Sequence, residues 1–255
     1  MLRRSSPGWH CKASGCGWRC GAPASRWSQR RRLQALHQAT DSPGFETDRK
    51  VRHAALARLR EALQALPVPE ASLVRWQASW AGQLGGVGVF VRSSSNSEDL
   101  PRFSGAGLYT TVPNVTRHHA LAEAVKTVWA SVFNPEAWEA RRWSRVPHDK
   151  VVMGVFVQRA VDARAAGVMS TLNPFDPQQP GLTHVSTKRG LGIRVVEGKR
   201  IAEHALVRSL AGTGERVRRL LGPAPQDIEW AIDGQGRVVL LQARPYVDRT
   251  PGRGR

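Results

Sequence analysis

The chain has 255 residues, a formal net charge of +18 and a hydrophobic fraction of 41%. This length permits a sizeable core in one or two domains, and the charge favours polyanionic ligands such as nucleotides or nucleic acid. No apolar run is long enough for a membrane span, and the three cysteines all precede residue 21, which excludes a membrane-spanning protein and a disulfide scaffold.

Residues 1–32 are rich in arginine and poor in aliphatic side chains, so we expect a disordered basic tail that extends to residue 47. This tail lacks the apolar core of a secretory signal, and the expected location is the cytoplasm. Four side chains within it could bind zinc, but their spacing does not match a standard zinc motif, which leaves zinc as the minor alternative: His10, Cys11, Cys16 and Cys20.

Apolar residues at spacings of three and four predict helices over residues 48–66 and 70–80, the second with Leu73, Val74 and Gln77 on one side. A helical pair is predicted within residues 117–145. Its first apolar stripe contains Leu121, Val125, Val128 and Val132.

The second helix of this pair is predicted to begin at Asn134 and Pro135, because asparagine favours the N-cap and proline the first helical position. Arg141 and Arg142 continue this helix. We interpret it as a packing helix with a basic outer face.

Short apolar runs predict strands over residues 87–91, 151–158, 167–172 and 184–187, with the second and third as partners. A further short helix is predicted over residues 215–221. Helices followed mostly by strands indicate an α+β fold with antiparallel pairing.

The stretch from Val91 to Val115 is too polar for a core element. Arg92 follows a predicted buried strand, which would fix its position. The hydroxyls of residues 93–97 and the glycines at 105 and 107 are the components of a phosphate-binding loop. Ordinary turn glycines are the alternative interpretation.

The stretch from Asp227 to Arg244 predicts a β-hairpin, with Asp-Gly supplying the positive φ angles of the turn. Asp227 and Glu229 share one face of the first strand, and Gln242 and Arg244 share one face of the second. Counting from the turn places Glu229 roughly opposite Gln242. These oxygen ligands suit Mg²⁺, and the arginine suits a phosphoryl group. An amphipathic hairpin with its polar ends in water is the alternative.

Four stretches together resemble the ATP-binding domain of the phosphoenolpyruvate synthase and pyruvate, phosphate dikinase family: Val91–Thr111, Val157–Met169, Gly190–Gly192 and Asp227–Pro245. Glucan, water dikinases and rifampicin phosphotransferase share this domain. The resemblance implies an ATP-grasp-type nucleotide domain over residues 48–247, followed by a disordered tail over residues 248–255.

The resemblance also implies that ATP and Mg²⁺ bind this chain. Arginines at positions matching the family motifs would contact the phosphates and act in catalysis, and two oxygen-bearing residues would hold the metal. The implied contacts are Arg92 and Arg244 with phosphate, Gly107 and Thr111 with the nucleotide, Gln158 beside the adenine, and Glu229 and Gln242 with Mg-ATP.

The family pattern is incomplete in this sequence. Residues 1–50 contain no match to the family's glycine-rich segment with its ATP-binding lysine, so we expect an incomplete N-terminal lobe. Ile193 stands where the family has an acidic residue. The phosphohistidine domain is also expected to be absent, which makes a separate histidine-carrying protein the expected partner. A non-catalytic docking module is the alternative function, and a nucleic-acid binder is the least favoured one.

Overall fold

A computed structural model describes residues 13–14, 17–20, 34, 36–100, 103–172, 184–189, 207–222 and 224–246. The chain forms two compact units, an N-terminal unit of residues 1–160 and a C-terminal unit of residues 161–255. The boundary falls inside the single nucleotide domain that the sequence predicts for residues 48–247.

The N-terminal unit contains four helices and seven strands in the described ranges. The helices are α1 (Arg49–Gln64), α2 (Glu70–Leu84), α3 (His118–Ala130) and α4 (Pro135–Trp143), with 3₁₀ turns at Ser131–Phe133 and His148–Lys150. The strands are β1 (Ala13–Ser14), β2 (Gly17–Cys20), β3 (Val89–Ser95), β4 (Asp99–Leu100), β5 (Phe103–Ser104), β6 (Val112–Val115) and β7 (Met153–Arg159).

The main sheet of the N-terminal unit has the order β1-β2-β7-β3-β6, and its neighbouring strands are antiparallel. Strands β4 and β5 form a separate two-stranded ribbon. Strands β1 and β2 lie within the stretch for which the sequence predicts no ordered element. Their pairing uses backbone hydrogen bonds, which depend on the neighbouring strand β7 more than on local composition.

One face of this sheet packs against the helices. Val91 of β3 and Val157 of β7 are fully buried on that face, and the next residue of each strand points to the other side. The apolar stripe predicted for α3 and the turn after it, from Leu121 to Val132, is buried as expected.

The side predicted for the helix at residues 70–80 is only partly buried, since Leu73 packs against the core and Gln77 is half-buried. Helix α2 buries Trp76, Trp80 and Leu84, whereas Val74 is 55% exposed. Two tryptophans bury more apolar area than the shorter side chains on the predicted side, so they determine the rotation of the helix. The helix also continues four residues further than predicted, to a cap at Gly85 with a φ of 70°.

The C-terminal unit contains β8 (Ala163–Ser170), β9 (His184–Arg189), α5 (Val207–Leu221), β10 (Gln226–Asp233) and β11 (Val238–Pro245). Its sheet has the order β11-β10-β8-β9 and is antiparallel. Met169, Ile228 and Trp230 form the core with Leu210 and Val217 of α5.

The predicted α+β class with antiparallel strands is confirmed in the described ranges. The predicted pairing of the strands at 151–158 and 167–172 is wrong: β7 pairs with β2 and β3, and β8 pairs with β9 and β10. None of the helices in the described ranges has the length and apolar character that crossing a membrane requires.

The predicted hairpin over residues 227–244 is confirmed, but its turn differs in one detail. Asp233 Oδ1 accepts hydrogen bonds from the backbone N–H groups of Gln235 and Arg237, both at 2.9 Å. Gly236 has the positive φ, 81°, whereas Gly234 does not. The left-handed residue is therefore the second glycine of the turn and not the glycine of the Asp-Gly pair.

Replacing Gly236 by alanine should lower the free energy of unfolding of the C-terminal unit by about 1–2 kcal/mol, because an alanine side chain is strained at this φ. No atom lies within 4 Å of the added Cβ at either turn glycine, so only backbone conformation distinguishes the two positions. Gly234→Ala is the matched control and should leave the free energy of unfolding almost unchanged. Urea unfolding measures the free energy of unfolding of both variants. Equal losses would contradict the assignment of Gly236 as the left-handed residue of the turn.

Candidate functional site

The open end of the β10–β11 hairpin carries a polar wall. Cross-strand pairing joins Asp227 to Arg244 and Glu229 to Gln242. A β-bulge follows Glu229 immediately. Because Ile228 faces the core, its neighbours Asp227 and Glu229 lie on the opposite face of the sheet. The predicted opposition of Glu229 and Gln242 is confirmed.

Arg244 is held in place by a carboxylate. Its Nη2 and Nε donate to Asp227 Oδ2 at 2.9 and 3.3 Å. Ser170 Oγ donates to the other oxygen, Asp227 Oδ1, at 3.4 Å. The side chains of Arg244 and Asp227 are 14% and 17% exposed, so this ion pair is partly shielded from water. The guanidinium is therefore oriented before any ligand arrives.

The second pair of the wall, Glu229 and Gln242, has the donor chemistry of a magnesium site. A carboxylate and an amide oxygen are hard ligands, and Mg²⁺ is usually held by one or two protein groups together with substrate phosphates. Within the described ranges, no three His, Cys, Asp or Glu side chains gather as a metal centre. The residues present therefore fit a metal that arrives with a phosphate ligand.

Arg92 and Gln158 meet on the main sheet of the N-terminal unit. Arg92 pairs with Phe156 across β3 and β7, which places Gln158 two residues further along the same face. Arg92 Nη1 donates to Gln158 Oε1 at 3.4 Å, and Gln158 is 4% exposed. This face is opposite the one that buries Val91 and Val157. The sheet thus brings together two of the predicted nucleotide contacts.

The serine-rich segment after Arg92 is internally bonded. Ser93 Oγ donates to Glu98 Oε1 at 2.6 Å, and the backbone N–H of Ser95 donates to Glu98 Oε2 at 3.0 Å. Ser95 Oγ lies 2.9 Å from Ser97 Oγ. These hydroxyls were expected to face a phosphate, but the structure uses them to fix the turn.

The two glycines of this stretch have different roles. A Cβ on Gly105 would lie 2.9 Å from the Tyr109 ring, so Gly105 allows close packing. Gly107 is exposed and has a φ of 74°, so it supplies a left-handed backbone position. Thr111 lies just before β6, half-buried.

Sequence reasoning missed Arg141, which was expected on a basic outer face and is fully buried. Its Nη1 donates to Tyr109 Oη at 3.2 Å, its Nη2 to the Val132 carbonyl, and its Nε to His148 Nδ1 at 3.2 Å. Burial lowers the pKa of Arg141, and the nearby Tyr109 opposes that effect. Helical spacing was the available signal, because residues 134, 137, 138 and 141 share one helix face.

Several predicted features lie outside the described residues. These are the Gly190–Gly192 motif with Ile193, and His10, Cys11 and Cys16 of the candidate zinc site. Cys20 lies in β2.

Comparison with known proteins identifies the family. The profile described as "Pyruvate phosphate dikinase, AMP/ATP-binding domain" matches residues 46–209. That range contains four of the predicted contacts, Arg92, Gly107, Thr111 and Gln158, and ends before the hairpin.

Two curated relatives are similar over much of the chain. A rifampicin phosphotransferase from Streptomyces sp is 30% identical over 251 residues, covering 81% of this chain and 29% of that protein. A probable phosphoenolpyruvate synthase from Staphylothermus marinus is 35% identical over 159 residues, covering 60% of this chain and 19% of that protein. The chain thus spans less than a third of each relative.

Among solved structures, D-alanyl-alanine synthetase A from Vibrio cholerae covers 78% of this chain and 56% of its own, with 14% identity and a TM-score of 0.37. The fold assignment does not depend on this similarity.

The contact between Arg141 and His148 predicts a pH dependence of stability. Burial and the charge of Arg141 lower the pKa of His148 from 6.5 to about 4. Between these values the unfolded chain binds more protons than the folded one, so stability is complete above pH 6.5 and falls as the pH drops towards 4. We expect a loss on the order of 1–2 kcal/mol, discounted because the ring is partly exposed.

His148→Gln is the matched variant, because the Gln oxygen can accept from Arg141 but does not titrate. Urea unfolding at pH 7 and pH 4.5 should show a smaller loss in this variant than in the wild type. Identical losses of stability in the two proteins would show that His148 does not contribute to the pH dependence.

Proposed function

Because the chain belongs to the pyruvate phosphate dikinase AMP/ATP-binding domain family, we propose that it binds Mg-ATP in the cytoplasm and passes a phosphoryl group to a histidine on a separate domain or protein. The observation that carries the proposal is that the family match includes both Arg92 and Gln158. The sheet brings these side chains together, with Arg92 Nη1 3.4 Å from Gln158 Oε1. The names of the relatives support phosphoryl transfer: one is a phosphotransferase and the other a phosphoenolpyruvate synthase.

The predicted contact residues of the N-terminal unit have defined tasks in this proposal. In the N-terminal unit, Arg92 donates to phosphate oxygens, Gln158 lies beside the adenine, and the backbone around Gly107 and Thr111 approaches the nucleotide. A guanidinium suits this task because its planar fork can donate two parallel hydrogen bonds to one phosphate.

In the C-terminal unit, Arg244 donates to phosphate, and Asp227 keeps it oriented. Glu229 and Gln242 are the residues that would hold Mg²⁺. The metal, when bound, would neutralise charge on the phosphate oxygens. Phosphoryl transfer needs positioning and charge neutralisation more than covalent chemistry from the protein, and arginine, glutamate and glutamine supply those.

The overall charge of the chain supports an anionic ligand. With 38 Lys and Arg residues against 20 Asp and Glu residues, the protein attracts a triphosphate from solution. The two relatives differ in the acceptor that their names indicate. We therefore propose that the part of the activity that this chain shares with them is the use of the nucleotide, which the description of the family profile names.

Arg244→Ala should weaken Mg-ATP binding by about tenfold to a hundredfold, since a charge-assisted hydrogen bond to phosphate is lost. The matched control is Arg237→Ala on the same hairpin. Arg237 is also paired with an aspartate, Asp233, at 2.8 Å, but it lies at the turn with 72% of its side chain exposed. Titration calorimetry should find wild-type affinity in this control.

Calorimetry with and without Mg²⁺ tests the metal ligands. Glu229→Gln should remove most of the magnesium dependence of ATP binding, whereas Glu215→Gln, on an exposed helix position, should not. Wild-type chain that shows no heat of binding with Mg-ATP would refute the nucleotide proposal.

The transfer step has its own test. ATP labelled on the β-phosphate should label a phosphohistidine-domain protein from a phosphoenolpyruvate synthase when the chain is present, and the chain alone should retain little label. Arg244→Ala should slow this transfer. ATP binding without any transfer would support the docking-module function instead.

A further inference from the structure

Arg141, a buried arginine of helix α4, contacts the stretch Val91–Val115 that contains the proposed nucleotide contact Arg92. The contact is made to Tyr109. Arg141 is 0% exposed, and the described ion pairs of the N-terminal unit do not include it. Its three hydrogen-bond acceptors are neutral: the Tyr109 hydroxyl, the Val132 carbonyl and His148 Nδ1. A fully buried charge is costly, so the arrangement must be fixed by several acceptors at once.

Tyr109 connects this arginine to the serine-rich turn. Its ring is 7% exposed, and its hydroxyl oxygen lies 3.2 Å from Arg141 Nη1 and 2.8 Å from Ser97 Oγ. A guanidinium can only donate, so the Tyr109 oxygen accepts from it. We assign the Tyr109 hydroxyl hydrogen to Ser97, because a phenol that accepts from a cation becomes a stronger donor.

The contacts continue from Ser97 to the end of β3. Ser97 Oγ lies 2.9 Å from Ser95 Oγ, and the backbone N–H of Ser97 donates to the same oxygen at 3.1 Å. Glu98 then bonds to the Ser95 N–H and to Ser93 Oγ. Ser93 directly follows Arg92 along β3.

The network and the proposed ligand contacts lie on opposite faces of the strand. Ser93 and Ser95 share the face of Val91, which packs against the helices, whereas Arg92 shares the other face with Gln158. Ser93 and Ser95 therefore point away from a ligand beside Arg92. Their contacts act on the backbone that carries Arg92.

We propose that Arg141 is a positioning residue for nucleotide binding, which acts through Tyr109, Ser97 and Ser95 to hold the end of β3 and hence Arg92. This inference rests on the proposed nucleotide site at Arg92. The role is separate from general packing, because the Tyr109 hydroxyl and Ser97 Oγ can each be removed without changing the apolar core.

Two measurements on the full chain test the proposal. Tyr109→Phe and Ser97→Ala should each weaken Mg-ATP binding by about fivefold, and the double variant should be little worse than either one, because both break the same connection. Hydrogen exchange of the backbone amides of residues 93–98, measured without nucleotide, should be about fivefold faster in each variant.

Ser131→Ala is the matched control. Ser131 is also a buried serine of the N-terminal unit, and its hydroxyl donates to the Val128 carbonyl at 2.7 Å, away from the turn. In urea unfolding, this control should lose about as much stability as the Tyr109→Phe and Ser97→Ala variants. Its ATP affinity and the rate of amide hydrogen exchange at residues 93–98 should remain those of the wild type.

The possible failures are distinguishable. If the wild type binds Mg-ATP and the Tyr109 and Ser97 variants match it in affinity and exchange, the positioning role is overturned and the proposed function stands. If the wild type does not bind Mg-ATP, the proposed function fails, and with it the ligand-binding role of the network. Equal losses of ATP affinity in the Ser131 control would also overturn the proposal, because they would reflect stability alone.

Discussion

The register of the two antiparallel sheets determines which polar side chains meet. Val91 and Val157 are buried on one face of the N-terminal sheet, and Ile228 and Met169 are buried on one face of the C-terminal sheet. A slip by one residue would expose those side chains and bury their polar neighbours, at a cost of several kcal/mol of apolar burial, roughly 1.5–3 for each large side chain. The apolar core thus fixes the position of the candidate site residues.

Local sequence predicted the hairpin because its two strands are joined by a short turn. The turn sets the register as far as the pair of Trp230 and Leu240, so counting outward from Asp233 placed Glu229 only roughly opposite Gln242. The β-bulge after Glu229 shifts the register by one residue and makes the opposition direct. The pairing of β7 could not be predicted in this way. Strands β7 and β8 are neighbours in the sequence, yet they belong to different units, and the partner β3 lies about sixty residues earlier in the chain. An apolar run indicates a strand but does not identify its partner.

Arg141 was misplaced for a related reason. Its charge indicated a solvated position, whereas its spacing from Ala137 and Trp138 indicated the buried face of the same helix. The spacing correctly indicated that Arg141 is buried. Burial of its charge is tolerated because hydrogen-bond acceptors distant in the sequence compensate for it. Tyr109 is 32 residues away, and no local pattern reveals that contact. Buried polar networks of this kind are where reasoning from the charge of a residue alone fails.

Arg244 shows how such constraints would favour the proposed binding of phosphate. Arginine side chains carry about 2 kcal/mol of rotamer entropy, which a free side chain loses when it binds a phosphate. The pair with Asp227 already restricts Arg244 and already removes much of its hydration, since the side chain is only 14% exposed. Part of the entropic and desolvation cost is therefore met when the protein folds, before a ligand arrives. Arg237, paired in the same way but 72% exposed, retains its hydration and has no such advantage. The same residue type on one hairpin is thus suited to phosphate binding at the open end and to turn stability at the other.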